Sequence, residues 1–570
     1  MESYLEKVKA WLEGLYDDET KARILDLQKN NIEELKEAFS EELEFGTGGL
    51  RGIMGVGPNR MNKYTVGAAT QGLANFLKKR YDHSSIAVAI SYDTRNNSQY
   101  FAFLAADILS ANGIKVFLFD GPRPTPELSF AVRYFYCKAG IMITASHNPP
   151  EYNGYKVYGE DGGQVVPPDD QLIIQEVRNI TSPTQISFES NKQLITTLDE
   201  KFDVFYLEAI KKVILQPEVI QQKQNLFIVY TPLHGTGFSL LPKALHSLGF
   251  TNIFVVPEQA EPNGNFPTVK YPNPEDPEAM KLALDYARAK KADIILATDP
   301  DADRLGVGVR DETGNYALLN GNQTASILAY YTLSTRQKLQ QLPANAMMVK
   351  TIVTTELIRE ITQNFGIKLY DVLTGFKYIA EIIRKTEGKE VFLGGCEESY
   401  GYLGNDVVRD KDGLMTACMV AEVAAFCALQ NKTLLDYLNE IYEKFGYYYE
   451  EQVSITKKGL QGKEEIQSIM EKLRFKAPET IASIEIVKIK DYLASEEINT
   501  KTKTVTPLSL PKSNVVQYFL EDGIKITVRP SGTEPKIKFY FEIQIKPYTP
   551  ESKEIAQRKI EMLKKFFLEL

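Results

Sequence analysis

A chain of 570 residues is long enough for about three to five domains, at roughly 100–200 residues each, which excludes a single core. Hydrophobic residues make up 43% and charged residues 25%, a globular composition and not a disordered or collagen-like one. The 66 Lys and Arg against 75 Asp and Glu leave a formal charge of −9, which argues against nucleic acid as a partner but leaves room for a local basic pocket that takes a small phosphate ester.

Leu5, Val8, Trp11, Leu12 and Leu15, then Leu25, Leu27, Ile32 and Leu35, recur at helical spacing and predict two amphipathic helices at the start. This N-terminus lacks the basic region, apolar run and small-residue cleavage site of a secretion signal. No segment approaches the roughly 18 apolar residues of a membrane span. Cys137, Cys396, Cys418 and Cys427 show neither C-x-x-C nor zinc-ribbon spacing. The expectation is a reduced, cytoplasmic protein with no membrane partner.

Beyond the first forty residues, β-branched runs alternate with helical stretches: 86–90, 101–110, 116–119 and 141–144. The rhythm restarts at 226–230, 240–248, 253–256 and 294–297, and again at 347–353, 355–365, 368–371, 378–385 and 391–393. Such βαβ alternation predicts mostly parallel sheets. The tail differs, with strand-like runs at 481–489, 515–520, 524–528 and 537–545 and helices near 463–473 and 551–567. The expected architecture is three serial mixed α/β domains (1–205, 206–315, 316–445) followed by an α+β domain (446–570).

Four loops at strand ends carry residues suited to chemistry, where α/β folds present ligand groups. In Thr144-Ala145-Ser146-His147-Asn148-Pro149-Pro150 a serine lies just past a buried strand. It is either a nucleophile or phosphate acceptor, with His147 or Lys156 as proton carrier, or merely the cap of a turn. In Asp299-Pro300-Asp301-Ala302-Asp303-Arg304 three alternating carboxylates suit a hard cation such as Mg²⁺. An EF-hand is excluded, because it wants Gly and Glu where this chain has Arg304 and Arg310. Without a counter-ion the triplet would repel itself.

The third loop, Gly394 to Tyr402, places Glu397 and Ser399 where they could hydrogen-bond vicinal hydroxyls or simply cap a helix. The fourth, Arg529-Pro530-Ser531-Gly532-Thr533-Glu534-Pro535-Lys536, offers an Arg fork, hydroxyls and a Gly-centred backbone for a dianionic phosphate, or else a plain hairpin turn. It lacks Walker A spacing.

Together these loops resemble the α-D-phosphohexomutase family, whose members carry T-A-S-H-N-P, D-P-D-x-D-R, G-E-x-S-G-like and R-P-S-G-T-E-P motifs in this order. The resemblance covers essentially the whole chain, including Phe45-Gly46-Thr47-Gly48-Gly49-Leu50-Arg51-Gly52. It implies four domains around a central cleft, with Ser146 as phosphoserine carrier and Asp299, Asp301 and Asp303, together with Ser146, as Mg²⁺ ligands. It further implies Lys156 as general acid/base, with His147, Arg51 and Arg304 beside the transferring group. Lys377 takes the place of the specificity-loop basic residue, and Glu397 and Ser399 match the sugar-hydroxyl loop. Arg529, Ser531, Gly532 and Thr533 match the loop that holds the non-reacting phosphate. Tyr400 before Gly401, with no following His, departs from the phosphomannomutase pattern. Cys396-Glu397-Glu398-Ser399 and the glycine-rich opening are closer to phosphoglucomutases of the phosphopentomutase-like branch.

The implied activity is interconversion of glucose 1-phosphate and glucose 6-phosphate through a phosphoserine and a bisphosphorylated sugar, with glucose 1,6-bisphosphate as activator. Phosphopentomutase or phosphomannomutase activity is the alternative within the family. A phosphatase with an Asp nucleophile is the rival enzyme, but Asp303 stands where such enzymes usually carry Thr or Val. A non-catalytic sugar-phosphate-binding protein would need neither a nucleophile nor a metal triad. The expected partner is a small phosphosugar, with a monomer or a dimer equally compatible.

Overall fold

The computed structural model describes residues 4–43, 49–82, 85–457, 459–531 and 536–568. They fall into two units, Met1–Gly321 with Phe376–Thr433, and Asn322–Gly375 with Leu434–Leu570.

The first unit opens with three helices, Tyr4–Glu13, Asp18–Asn30 and Ile32–Ser40, where two were expected. The break falls at Asn31, whose side-chain oxygen accepts from the Glu34 N–H at 3.3 Å and so starts a new helix. Their apolar faces meet around Trp11, Ile24, Leu35, Phe39 and Tyr64.

A six-stranded mixed sheet follows, in the order Gly49–Ile53, Tyr152–Gly159, Ala139–Ile143, Ala87–Tyr92, Lys115–Phe119, Ile195–Leu198. The last four strands are mutually parallel, as the β-helix-β rhythm requires. Ala139–Ile143 is buried along its whole length because helices cover both faces of the sheet. Tyr152–Gly159 returns antiparallel beside it, a hairpin that carries Lys156 back past the Ser146 loop.

The second sheet runs Tyr316–Leu319, Leu305–Arg310, Ile294–Thr298, Ile228–Thr231, Ile253–Val255. Its parallel half is Ile228–Thr231 with its two neighbours, while Leu305–Arg310 folds back antiparallel on Ile294–Thr298, so the Asp loop is a hairpin connection. Tyr316–Leu319 pairs onto this sheet, which therefore continues past the boundary expected at 315. The unit is completed by the helix Phe376–Thr386, the antiparallel strands Val391–Cys396 and Tyr402–Leu403, and the helix Gly413–Leu429, which is buried and, apart from Thr416 and Glu422, built of apolar residues and glycine.

In the second unit Ala346–Thr351 and Lys368–Val372 pair in parallel. The C-terminal part is the expected α+β arrangement, an antiparallel sheet with the helices Gly459–Phe475 and Ser552–Leu568. The strand expected at 481–489 is two, Thr480–Ile481 and Ile484–Asp491, paired antiparallel. Ala482 and Ser483 between them both take positive φ, 50° and 66°, the conformation of a tight two-residue hairpin turn. Among the described residues no single helix is long and apolar enough to cross a membrane.

Candidate active site

The hairpin between Ile294–Thr298 and Leu305–Arg310 holds its three carboxylates so that one oxygen of each lies within 4.8 Å of the others, all buried. The loop backbone is anchored from three directions. The carbonyl of Pro300 accepts from Thr236 N–H at 2.8 Å, that of Asp301 from Thr125 N–H at 2.9 Å, and that of Ala302 from Gly413 N–H at 3.1 Å. Two of these approaches need glycine. A Cβ on Gly235 would sit 2.5 Å from the Pro300 Cα, and one on Gly413 would sit 2.7 Å from the carbonyl oxygens of Ala302 and Arg304.

Each carboxylate spends part of its capacity inside the protein. Asp299 Oδ1 accepts the backbone N–H groups of Asp303 and Arg304 at 3.2 and 3.1 Å. Asp301 Oδ2 accepts from Thr125 Oγ1 and Lys156 Nζ, both at 2.9 Å. Asp303 Oδ2 accepts from Lys411 Nζ at 2.7 Å, with Lys156 Nζ 3.7 Å away. What remains is Asp301 Oδ1 and Asp303 Oδ1, buried and without a hydrogen-bond donor. Buried oxygens of that kind are costly, and oxygen donors so grouped fit Mg²⁺.

The electrostatics agree. Burial, with Asp303 and Asp301 adding repulsion, raises Asp299 well above the usual carboxylate range. Burial and Asp301 raise Asp303 in the same way. Burial also opposes the charge on Asp301, but Lys156 and Lys411 outweigh it and hold that group below its usual range. Burial disfavours the charge on Lys411 too, and Asp303 and Asp410 reverse this, so the ammonium is firmly protonated.

Ser146 meets this cluster directly. Its Oγ donates to Asp299 Oδ2 at 2.9 Å and lies 3.1 Å from His147 Nδ1. Burial of the imidazole, reinforced by Arg304 and Arg51, drops His147 well below its ordinary range, which favours the neutral ring. Arg304 donates to Glu275 Oε1 at 2.8 Å and lies 3.9 Å from Asp303. Arg51, exposed on Gly49–Ile53 opposite Gly154, reaches Asn148 Oδ1 at 3.4 Å. Of the residues singled out in the sequence, the fold brings Ser146, His147, Lys156, Arg304 and the Asp triad together. Thr125, Glu275 and Lys411, which no motif singled out, contact the same group.

The other candidates are placed with less company. Glu397 is buried, its charge acts on Arg304 and Lys411, and its N–H donates to the Gly401 carbonyl. Leu305 N–H donates to the Tyr400 carbonyl at 3.1 Å, which ties this loop to the Asp hairpin. Ser399 is half-buried in the same turn. Lys377 lies in the first turn of Phe376–Thr386, and burial lowers its ammonium below the ordinary range against the opposing pull of Asp170 and Glu381. In the second unit Arg529 is the penultimate residue of the strand Ile524–Pro530, and Ser531 N–H donates to the Lys536 carbonyl at 2.7 Å. Gly532 and Thr533 lie outside the described residues, as do Phe45 to Gly48.

Comparison with known proteins adds a second line of evidence. The sequence models of phosphoglucomutase/phosphomannomutase alpha/beta/alpha domains I, II and III match residues 42–184, 205–314 and 320–445, and that of the C-terminal domain matches 465–547. A phosphoglucomutase of Staphylococcus haemolyticus is 38% identical over 95% of this chain and 97% of its own length. One of Staphylococcus aureus strain USA300 is 38% identical over 93% and 94%. Among solved structures, the open form of the phosphoglucomutase pp63/parafusin from Paramecium superposes with a TM-score of 0.67 at 17% identity, covering 92% of this chain and 95% of that one. A phosphoglucomutase/phosphomannomutase family protein from Burkholderia thailandensis gives 0.66 at 20%, covering 91% and 97%.

Proposed function

Because the chain belongs to the α-D-phosphohexomutase family, we propose that it interconverts glucose 1-phosphate and glucose 6-phosphate, with Ser146 as the phosphate carrier. The observation that carries this reading is the 2.9 Å contact between Ser146 Oγ and Asp299, in a carboxylate cluster with two buried oxygens left over. Neither sugar-phosphate binding nor fold stability calls for that pairing.

Asp299, Asp301, Asp303 and Ser146 Oγ would hold Mg²⁺. When bound, the cation supplies positive charge against the phosphoryl oxygens. In the first transfer the sugar hydroxyl attacks the phosphorus as the bond from phosphorus to Ser146 Oγ breaks, and the Lys156 ammonium gives a proton to the leaving Oγ while it regains one from the attacking hydroxyl. In the second the Ser146 hydroxyl attacks the other phosphate of the bisphosphate, and its proton passes by way of Lys156 to the departing sugar oxygen. The bisphosphate is glucose 1,6-bisphosphate, which also serves as activator. Between transfers the sugar must turn end for end, which requires a second phosphate position; Arg529, Ser531, Gly532 and Thr533 are assigned to it on the chemistry of their motif. Arg51, Arg304 and Lys411 add positive charge, and Glu397 and Ser399 take the sugar hydroxyls. Lys377 is assigned to substrate discrimination. The four domains of this reading follow the boundaries 205, 315 and 445, with the second sheet extended to Leu319. Four buried free cysteines suit a cytoplasmic setting.

³¹P NMR with Mg²⁺, a trace of glucose 1,6-bisphosphate and, in parallel, glucose 1-phosphate, mannose 1-phosphate and ribose 1-phosphate tests the proposal. Fastest conversion of the glucose ester to its 6-phosphate supports it. A faster mannose or ribose conversion reassigns the sugar. Release of inorganic phosphate alone overturns the mutase reading.

A further inference from the structure

Ser146 has φ 51°, a left-handed backbone that non-glycine residues avoid and that persists only where the surroundings impose it. Here the surroundings include a pair of opposite charges outside the Asp triad, Asp93 and Arg95, whose side chains are completely buried. Arg95 donates through Nη2 to the carbonyls of Ser146, at 2.5 Å, and Asn148, and through Nη1 to those of Pro149 at 2.7 Å and Tyr152 at 3.3 Å. Its Nε faces Asp93 Oδ2 at 3.2 Å. One flat face lies against the Phe266 ring, 4.9 Å from its centroid.

The opposite side of the same residue is tied to the same carboxylate. Ser146 N–H donates to Thr144 Oγ1 at 2.8 Å, and that hydroxyl donates to Asp93 Oδ2 at 2.6 Å. Asp93 Oδ1 is fixed in turn by Ser98 Oγ at 2.6 Å and Arg95 N–H at 2.9 Å. Both peptide groups of Ser146 thus end on one buried ion pair, the N–H through Thr144 and the C=O through Arg95. Only a planar fork with several divergent N–H groups can serve four carbonyls at once; an ammonium is a single point.

We propose that Asp93, Arg95 and Thr144 are positioning residues that impose the left-handed conformation of Ser146 and so aim its Oγ at the transferring phosphoryl group. The inference rests on the reading of Ser146 as the carrier. Their hydrogen bonds run to the backbone around Ser146, and Arg95→Lys keeps the positive charge that also acts on Asp299, Asp301 and His147. A misplacement of about 1 Å in a reacting group costs on the order of 10²-fold in rate, so the effect belongs in kcat and not in KM.

The test compares Thr144→Val, which keeps shape and removes both hydrogen bonds, with Thr144→Ser, which keeps the hydroxyl, and adds Arg95→Lys. Steady-state turnover of glucose 1-phosphate, thermal unfolding and Mg²⁺ affinity are measured for each, and phosphate on Ser146 is measured in the wild type by peptide mass spectrometry. The expected result is a kcat lowered about 100-fold in T144V and R95K, with KM and Mg²⁺ affinity within about threefold of wild type, and near-normal turnover in T144S. A folded T144V with wild-type kcat, or one whose loss falls in KM, overturns the proposal. So does a T144V that fails to fold, which would assign the network to stability. An active wild type without phosphate on Ser146 refutes the carrier reading instead; phosphate on Ser146 together with unaffected variants refutes the clamp alone.

Discussion

Asp303 is held by two lysines through one oxygen while its other oxygen has no donor, so the charge and the ligand atom of one side chain are served by different partners. Asp303→Asn keeps the shape but exchanges a ligand oxygen's charge for a neutral dipole. Mg²⁺ affinity, read by calorimetric titration, should fall by at least tenfold. Lys156→Arg makes the complementary case. The guanidinium preserves a cation beside Asp301 but does not release its proton near neutral pH. The expected outcome is kcat lower by about 10²–10⁴-fold with Mg²⁺ binding retained. These roles were partly legible in the sequence because Ser146 and the three aspartates each lie in a short contiguous motif. Lys411 was not, since it reaches Asp303 from 108 residues away, and Asp410-Lys411-Asp412 reads locally as a solvated charged turn. Thr125 and Arg95 were hidden for the same reason: Thr125 meets Asp301, and Arg95 the Ser146 carbonyl, across long stretches of sequence that no local spacing encodes.

The helix Gly413–Leu429 brings its N-terminus against the Asp hairpin, and Asp412 caps it by accepting from Met415 N–H at 2.8 Å and from the Tyr206 hydroxyl. Burial pushes the Asp412 carboxyl up to about 7, although these hydrogen bonds favour its ionised form. A carboxyl raised on folding binds protons more tightly in the native state. Its contribution to stability is therefore fully present below the unfolded value near 3.8 and is lost as pH rises through about 7. Asp412→Asn caps as well but cannot ionise. The unfolding midpoint of D412N should gain on the wild type as pH is raised from 4 to 7, and calorimetry at intervals across that range would show it. An unchanged difference would mean that Asp412 stays ionised throughout. This helix illustrates what pattern reading loses. Being apolar on every side, it has no 3.6-residue period to detect, whereas Ala87–Tyr92 or Ile294–Thr298 announce themselves as β-branched runs between polar turns. The break at Asn31 was missed because one capping side chain outweighs a continuous periodicity.

For the molecule as a whole, the cluster is a stability liability without its counter-ion: three buried carboxylates, two of them raised by burial and then by mutual repulsion. A ligand that binds only the folded chain stabilises it by mass action, about 2.7 kcal/mol at a hundred times its Kd. Mg²⁺ should therefore raise the unfolding temperature, EDTA should reverse the rise, and D303N should blunt it; equal midpoints with and without Mg²⁺ would count against the site. The anchoring of the Asp hairpin reaches further, into the order of events during synthesis. Its carbonyls are secured by Thr125 and Thr236, made before the loop, and by Gly413, made more than a hundred residues after it. On a ribosome adding roughly 5–20 residues per second, the loop waits on the order of ten seconds for its last anchor. A truncated chain that ends before Gly413 is thus an incomplete scaffold, without the third of the backbone anchors that hold the carboxylate hairpin in place.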